Sequence, residues 1–143
     1  DFHMVSIHPR YFLDLKVALE ERFVIKGYFD GEKLIGFYSY IKGMDQNYAS
    51  FVGLNYDYNQ DCALYQNILY CLLNDSIKDG AKSIDLARTA MEIKSTMGAE
   101  PEQYQLLAKH VNGITNSIVK RFLQNLRVKE WTQRKPFKDT PKG

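Results

Sequence analysis

Apolar and polar positions follow two rhythms along the chain, and each change of rhythm marks an element. After Pro9, the residues Phe12, Leu15 and Leu19 recur every three or four positions, with Arg10, Asp14 and Lys16 between them. That spacing gathers the apolar side chains on one stripe of a helix, predicted over 9–20. Pro9 suits its first position, where the missing N–H would be unpaired anyway, with His8 or Ser6 as cap. Over 22–29 and 33–42 the residues turn β-branched and aromatic, and Asp30-Gly31 between them supplies the positive φ of a tight hairpin. A turn at Gly43-Met44-Asp45 leads into a third strand over 48–52, which pairs most simply with its predecessor. The first half thus reads as a helix and a three-stranded antiparallel meander.

The helical rhythm returns over 61–79, where Leu64, Ile68, Leu69, Leu72, Leu73 and Ile77 make a broad apolar face. Asn59 or Asp61 can cap this helix, and Gly80 suits the left-handed position just past its end. Ile84 and Leu86 then point one way from a short strand over 82–87. Strand, helix and strand make a β–α–β unit with parallel strands and a right-handed crossover. A short helix over 89–97 ended by Gly98, a strand over 103–109 and a helix over 114–126 complete the expected elements. The fold class is α/β, an α+β mixed sheet, with a body over 1–126 and a basic tail over 127–143, docked or frayed around Trp131 and Phe137.

Composition narrows the function classes. A length of 143 residues suits one domain, and 45% hydrophobic with 25% charged residues excludes a disordered tail, a collagen or a membrane span. With 19 basic against 17 acidic residues, the net charge of +2 gives no bulk attraction to a phosphate backbone, so DNA is not an expected partner. No apolar run approaches the roughly 20 residues of a transmembrane helix. Cys62 and Cys71 lie nine apart in one predicted helix and face opposite ways, there is no CxxC, and three histidines offer no metal-ligand spacing. A reducing, cytoplasmic setting without a structural metal or a certain cofactor is expected. The chain opens on Asp1 instead of Met, as a piece of a longer protein would.

Several segments carry a family resemblance. They are Val52-Gly53-Leu54-Asn55-Tyr56-Asp57-Tyr58-Asn59, Leu64-Tyr65-Gln66-Asn67-Ile68-Leu69-Tyr70, Asp85-Leu86-Ala87-Arg88-Thr89-Ala90, Glu92-Ile93-Lys94-Ser95-Thr96-Met97-Gly98-Ala99 and Lys109-His110-Val111-Asn112. Together with the element order they resemble the second half of the GNAT (N-acetyltransferase-like) fold, and within it the bacterial BioF2-like acyltransferase domains akin to Fem-type aminoacyltransferases of peptidoglycan synthesis. The likeness covers about 6–137. The Fem-type Phe-Lys-x-x-Phe-Gly signature is here Ile93-Lys94-Ser95-Thr96-Met97-Gly98, keeping the Lys and Gly but not the aromatics. The resemblance implies transfer of an acyl or aminoacyl group from acyl-CoA or aminoacyl-tRNA to an amine, on a small molecule or a cell-wall precursor. The fold's first strand and helix are not evident before Ser6, so the resemblance also implies a missing N-terminal half or a second copy at an open sheet edge. Where coenzyme A-binding members have Gln/Arg-x-x-Gly-x-Gly/Ala, this chain has Tyr56-Asp57-Tyr58-Asn59-Gln60-Asp61-Cys62-Ala63. Without glycine, and with two acids, that stretch is a poor cradle for a diphosphate.

The candidate residues lie beyond the ends of the two parallel strands, where α/β sheets place their ligands. Arg88 and Lys94 suit anionic parts of a substrate, with Thr89 beside Arg88. Tyr58 and Tyr65, the foremost of a group with Tyr56 and Tyr70, could donate a proton to a leaving group. Asn59 and Asn67 could bind an amide, Asn59 equally serving as a turn or cap residue. Each has a plainer role as an ion pair, a solvated charge or a packed ring, and His110 is best read as a capping or surface group. The rival to an acyltransferase is a non-catalytic GNAT-like recognition or interaction module.

Overall fold

The computed structural model describes residues 7–8, 10–105, 107–124 and 130–137. The chain divides into two compact units, Asp1–Thr89 and Ala90–Gly143. In the first, helix α1 (Arg10–Leu19) and a 3-10 turn (Glu20–Arg22) lead into strands β1 (Phe23–Asp30), β2 (Lys33–Ile41) and β3 (Gln46–Leu54). Helices α2 (Tyr56–Cys62) and α3 (Leu64–Lys78) and strand β4 (Ser83–Asp85) follow. The sheet runs β1-β2-β3-β4, with β1–β2 and β2–β3 antiparallel and β3–β4 parallel. The fold is thus α/β with a mixed four-stranded sheet, and the expected meander and β–α–β unit are both present.

Alternation along β2 explains how one sheet serves two helices. Tyr38 and Tyr40 join Leu64, Ile68 and Leu72 of α3 in a buried core, with Gly36 at the point of close approach. A Cβ on Gly36 would sit 3.2 Å from Leu64 Cδ2, so a side chain there would push the helix outward. On the other face Phe37 and, from β3, Phe51 meet Phe12 of α1 edge to face, with ring centroids 5.8 and 5.4 Å away. The register between β2 and β3 shifts where Tyr38 faces Val52 but Tyr40 faces Ala49. This bulge lets Asn47 face α3 while Phe51 faces α1, two odd-numbered residues on opposite sides.

Three expected boundaries differ. The central helix is interrupted, because Ala63 takes a left-handed φ of 46° between α2 and α3. Its cap is Asn55, whose Oδ1 accepts from the Asp57 N–H at 3.1 Å, instead of Asn59 or Asp61. The last strand stops at Asp85, whose side chain accepts from the Ala87 N–H at 2.7 Å and starts a turn that leaves Ala87 left-handed at φ 58°.

The second unit holds helices α4 (Met91–Ser95) and α5 (Gly113–Gln124). The strand expected over 103–109 does not form among the described residues, which leave the polar Glu102, Gln103 and Gln105 exposed with no sheet to join. The last residues of the helix expected over 114–126, and 127–129 and 138–143 of the tail, lie outside the described residues. The described part of the tail is docked on α4: the Arg134 N–H donates to Ser95 Oγ at 2.9 Å, and Phe137 covers Gly98. Gly98 has φ 84°, and a Cβ there would strike the Phe137 ring, so glycine is required on both counts. Among the described residues no helix is long and apolar enough to cross a membrane.

Candidate functional site

Two strands of the first unit run parallel only part of the way. β4 pairs with β3 through Gln46 opposite Ser83, Asn47 opposite Ile84 and Tyr48 opposite Asp85, and then ends. β3 continues to Leu54, so over 49–54 it has no strand on that side among the described residues. Within this segment the Phe51 N–H donates to Ser39 Oγ at 3.1 Å and the Phe51 carbonyl accepts from the same hydroxyl at 3.4 Å, and Val52 is exposed.

The break between α2 and α3 gathers four of the candidates. Asn59 Oδ1 accepts from the Tyr65 N–H at 2.9 Å, and Asn67 Nδ2 donates to the Cys62 carbonyl at 2.7 Å. Both side chains thus hold main-chain groups that a left-handed Ala63 would leave unpaired. Tyr58 is half-buried against the core, and the Lys33 ammonium lies 5.0 Å from its ring centroid. Tyr65 is half-buried, and burial, followed by the neighbouring Tyr56, pushes its pKa up. Its hydroxyl therefore keeps its proton at neutral pH.

The remaining candidates are spread wider. Arg88 and Thr89 are exposed on the segment after β4, bounded by left-handed Ala87 and Ala90 (φ 54°). Lys94 belongs to the second unit, on α4, and is buried at 6% exposure. A solvated helix-face lysine, its plainer reading, is therefore not what the fold builds. His110 is exposed and its ring accepts from the Asn112 N–H at 3.1 Å, the local role expected of it.

A different set of tyrosines is the one held by charge. Tyr38 Oη donates to Asp75 Oδ2 at 2.6 Å, and Lys26 Nζ lies 2.6 Å from the same oxygen. One helical turn on, Tyr40 Oη donates to Asp79 Oδ2 at 2.8 Å, and Lys42 Nζ lies 2.5 Å from Asp79 Oδ1. Asn47 Nδ2 adds bonds to Ser76 Oγ at 3.2 Å and Asp79 Oδ2 at 3.4 Å. Burial alone would raise the Asp75 carboxyl, but hydrogen bonds from Lys26 and Tyr38, with the charges of Lys26 and Lys78, hold it below the usual carboxylate range. Asp79 is lowered too, burial being outweighed by the hydrogen bonds of Lys42 and Tyr40, the charge of Lys42 and the hydrogen bond of Asn47. Burial and then the adjoining carboxylates push Tyr38 and Tyr40 up. Tyr28 is raised by burial and by Cys71 and Asp75, and its buried hydroxyl has no hydrogen-bond partner of good geometry among the described residues. Fixed carboxylates and fully protonated phenols make this a clamp between α3 and the sheet, unsuited to proton transfer near pH 7.

The sequence carried a signal for this clamp. Asp75 and Asp79 continue the 3–4 spacing of Ile68 and Leu72 onto the core face, and Tyr38 and Tyr40 occupy alternate strand positions opposite them. In the second unit, Glu92, Ile93 and Thr96 of the α4 region and Arg134, Lys135 and Pro136 of the tail line an open cleft of about 610 Å³. Among the described residues no group of three His, Cys, Asp or Glu is placed to hold a metal ion. No known protein family, curated protein or solved structure matches the chain.

Proposed function

We propose that this chain is the GNAT-like domain of an acyltransferase that moves an acyl or aminoacyl group onto an amine. The observation that carries the reading is the early end of β4 beside a continuing, bulged β3, which leaves an open strand edge over 49–54. A donor carbonyl laid along that edge would be polarised by main-chain N–H groups, and an amine held next to it could attack directly, without a covalent enzyme intermediate. Tyr65, half-buried where α3 begins, is the proton donor to the leaving group and is reprotonated by the proton the attacking amine loses, with Tyr58 on the preceding helix α2. Arg88, exposed just past β4, takes an anionic part of the donor, with Thr89 next to it. Asn59 and Asn67 act by holding the α2–α3 break. Aminoacyl-tRNA suits the chain better than acyl-CoA, because the Asp57 N–H at the start of α2 is taken by Asn55 and the Asp57 side chain adds negative charge.

The same occupied N–H favours, as the second reading, a recognition module that binds a cell-wall precursor without transfer. Labelled aminoacyl-tRNA and acyl-CoA esters, offered with amine acceptors, decide between them. Transfer that falls about 100-fold in Tyr65→Phe, with the fold intact by circular dichroism, supports catalysis. A folded chain that transfers from neither donor, yet binds the precursor in calorimetry, supports recognition.

A further inference from the structure

The cleft of the second unit needs none of the residues assigned to acyl transfer. Its volume of about 610 Å³ falls within the range of small-molecule sites. One wall is α4 and the residue after it, presenting Glu92, Ile93 and Thr96, and the other is the tail at Arg134, Lys135 and Pro136. The two walls are joined below the cleft, since Ser95 Oγ accepts from the Arg134 N–H at 2.9 Å and itself donates to the Glu92 carbonyl at 2.7 Å. Ser95 is only 1% exposed, so this joint is sheltered from water. Phe137 packed on Gly98 fixes the tail one step further along.

The charges in the cleft are uneven. Arg134 Nη2 meets Glu92 Oε1 at 2.8 Å, and this pair stays about half open to solvent, with side chains 59% and 53% exposed. A guanidinium has five N–H donors, and this contact uses one. Lys135 adds a second cation to the same cleft, and Glu92 balances only one of the two. Ile93 and Pro136 supply apolar surface between the charged groups.

We propose that this cleft binds a small organic carboxylate with an apolar body. The carboxylate takes the two-pronged contact that a guanidinium offers, sharing Arg134 with Glu92 or displacing it, and Lys135 adds its charge. The apolar body lies along Ile93 and Pro136. Glu92 is then a competitor for Arg134, which gives the site a signature of opposite signs: removing a cation weakens binding, and removing the acid strengthens it.

The test uses octanoate as the probe on the full chain, followed by amide NMR shifts, with octylamine and inorganic phosphate as controls. Expected are saturable shifts centred on Ile93, Thr96 and Lys135, binding about tenfold weaker in Lys135→Ala and Arg134→Ala, and several-fold tighter in Glu92→Gln. Lys135→Ala carries the test if Arg134→Ala loosens the tail, because Lys135 takes no part in the described bonds that dock it. Equal binding of octanoate and octylamine would overturn the proposal, as would Glu92→Gln leaving octanoate affinity unchanged or lower. Phosphate competing as well as octanoate would show a bare anion site and overturn the apolar half of the assignment.

Discussion

The two ends of α3 are both polar, yet they are held in opposite ways. At the C-terminal end, Asp75 and Asp79 are gripped by Tyr38 and Tyr40, residues 37 and 39 positions away in sequence. At the N-terminal end, the partners of Asn59 and Asn67 lie only six and five positions away and belong to the helix's own entry. One end is nailed to the sheet, and the other is braced against itself. The difference matches the strands beneath. Asn47, bonded to Ser76 and Asp79, sits where β4 pairs with β3, whereas Leu64 rests on Gly36, which pairs with Leu54 at the open end. The sheet is paired on both sides of β3 where it holds charge, and β3 lacks its second neighbour among the described residues where the proposed chemistry would take place.

The contrast can be broken from either end. Asp75→Ala should cost most, about 2 to 3 kcal/mol in urea unfolding, because it strands the buried Tyr38 hydroxyl and leaves Lys26 without its partner. The pH profile should show the same clamp. Asp75 and Asp79 are lowered in the folded state, so their contribution is complete above the ordinary carboxyl value near 3.9 and is lost as pH falls through the folded value. Tyr28, Tyr38 and Tyr40 are raised, so their contribution is complete below the ordinary value near 10 and declines as pH rises beyond it. Urea midpoints at pH 3, 7 and 11 should therefore be highest at 7, and Asp75→Asn should flatten the acid limb. Tyr40→Phe removes one partner of Asp79 while Lys42 and Asn47 remain, and should cost about 1 kcal/mol by the same assay.

At the braced end the effects are smaller and one reverses sign. Ala63→Gly relieves a left-handed alanine and should raise stability by about 0.5 to 1 kcal/mol, read as an increase in thermal midpoint. Asn67→Ala, whose side chain is exposed, should cost about 0.5 kcal/mol.

The sequence announced the elements better than their interruptions. Leu64, Ile68 and Leu72 named the core face of α3, and Asp30-Gly31 named the hairpin turn, because spacing and turn chemistry are local. Ala63 carries no such mark: alanine ordinarily continues a helix, and its left-handed turn is imposed by bonds from Asn59 and Asn67 on either side. The early end of β4 was hidden for a similar reason, since Leu86 still packs on the core after the strand pairing stops at Asp85. Among the candidates, Tyr58, Asn59, Tyr65 and Asn67 stand out in the sequence by their density around one helix start. Tyr38 and Tyr40 do not stand out, because a tyrosine on a strand reads as packing until its acid partner, more than thirty residues on, is brought opposite it.

The bulge in β3 decides which residue of that strand can be lost. Because the parity of inward positions flips between Asn47 and Phe51, pairing the strand at full length without the bulge would turn Phe51 toward α3, whereas deleting Ser50 would remove the extra residue and leave Phe51 facing α1. Straightened at full length, the strand would deprive the Phe12 ring of its neighbour and press an aromatic into the Tyr38–Tyr40 layer, which has no room for it. Single-residue insertions and deletions should therefore be tolerated in the turn at Gly43 and Met44, which are exposed, and loss of Ser50 should be the mildest deletion within the strand, whose sequence gives no outward sign of its change of side.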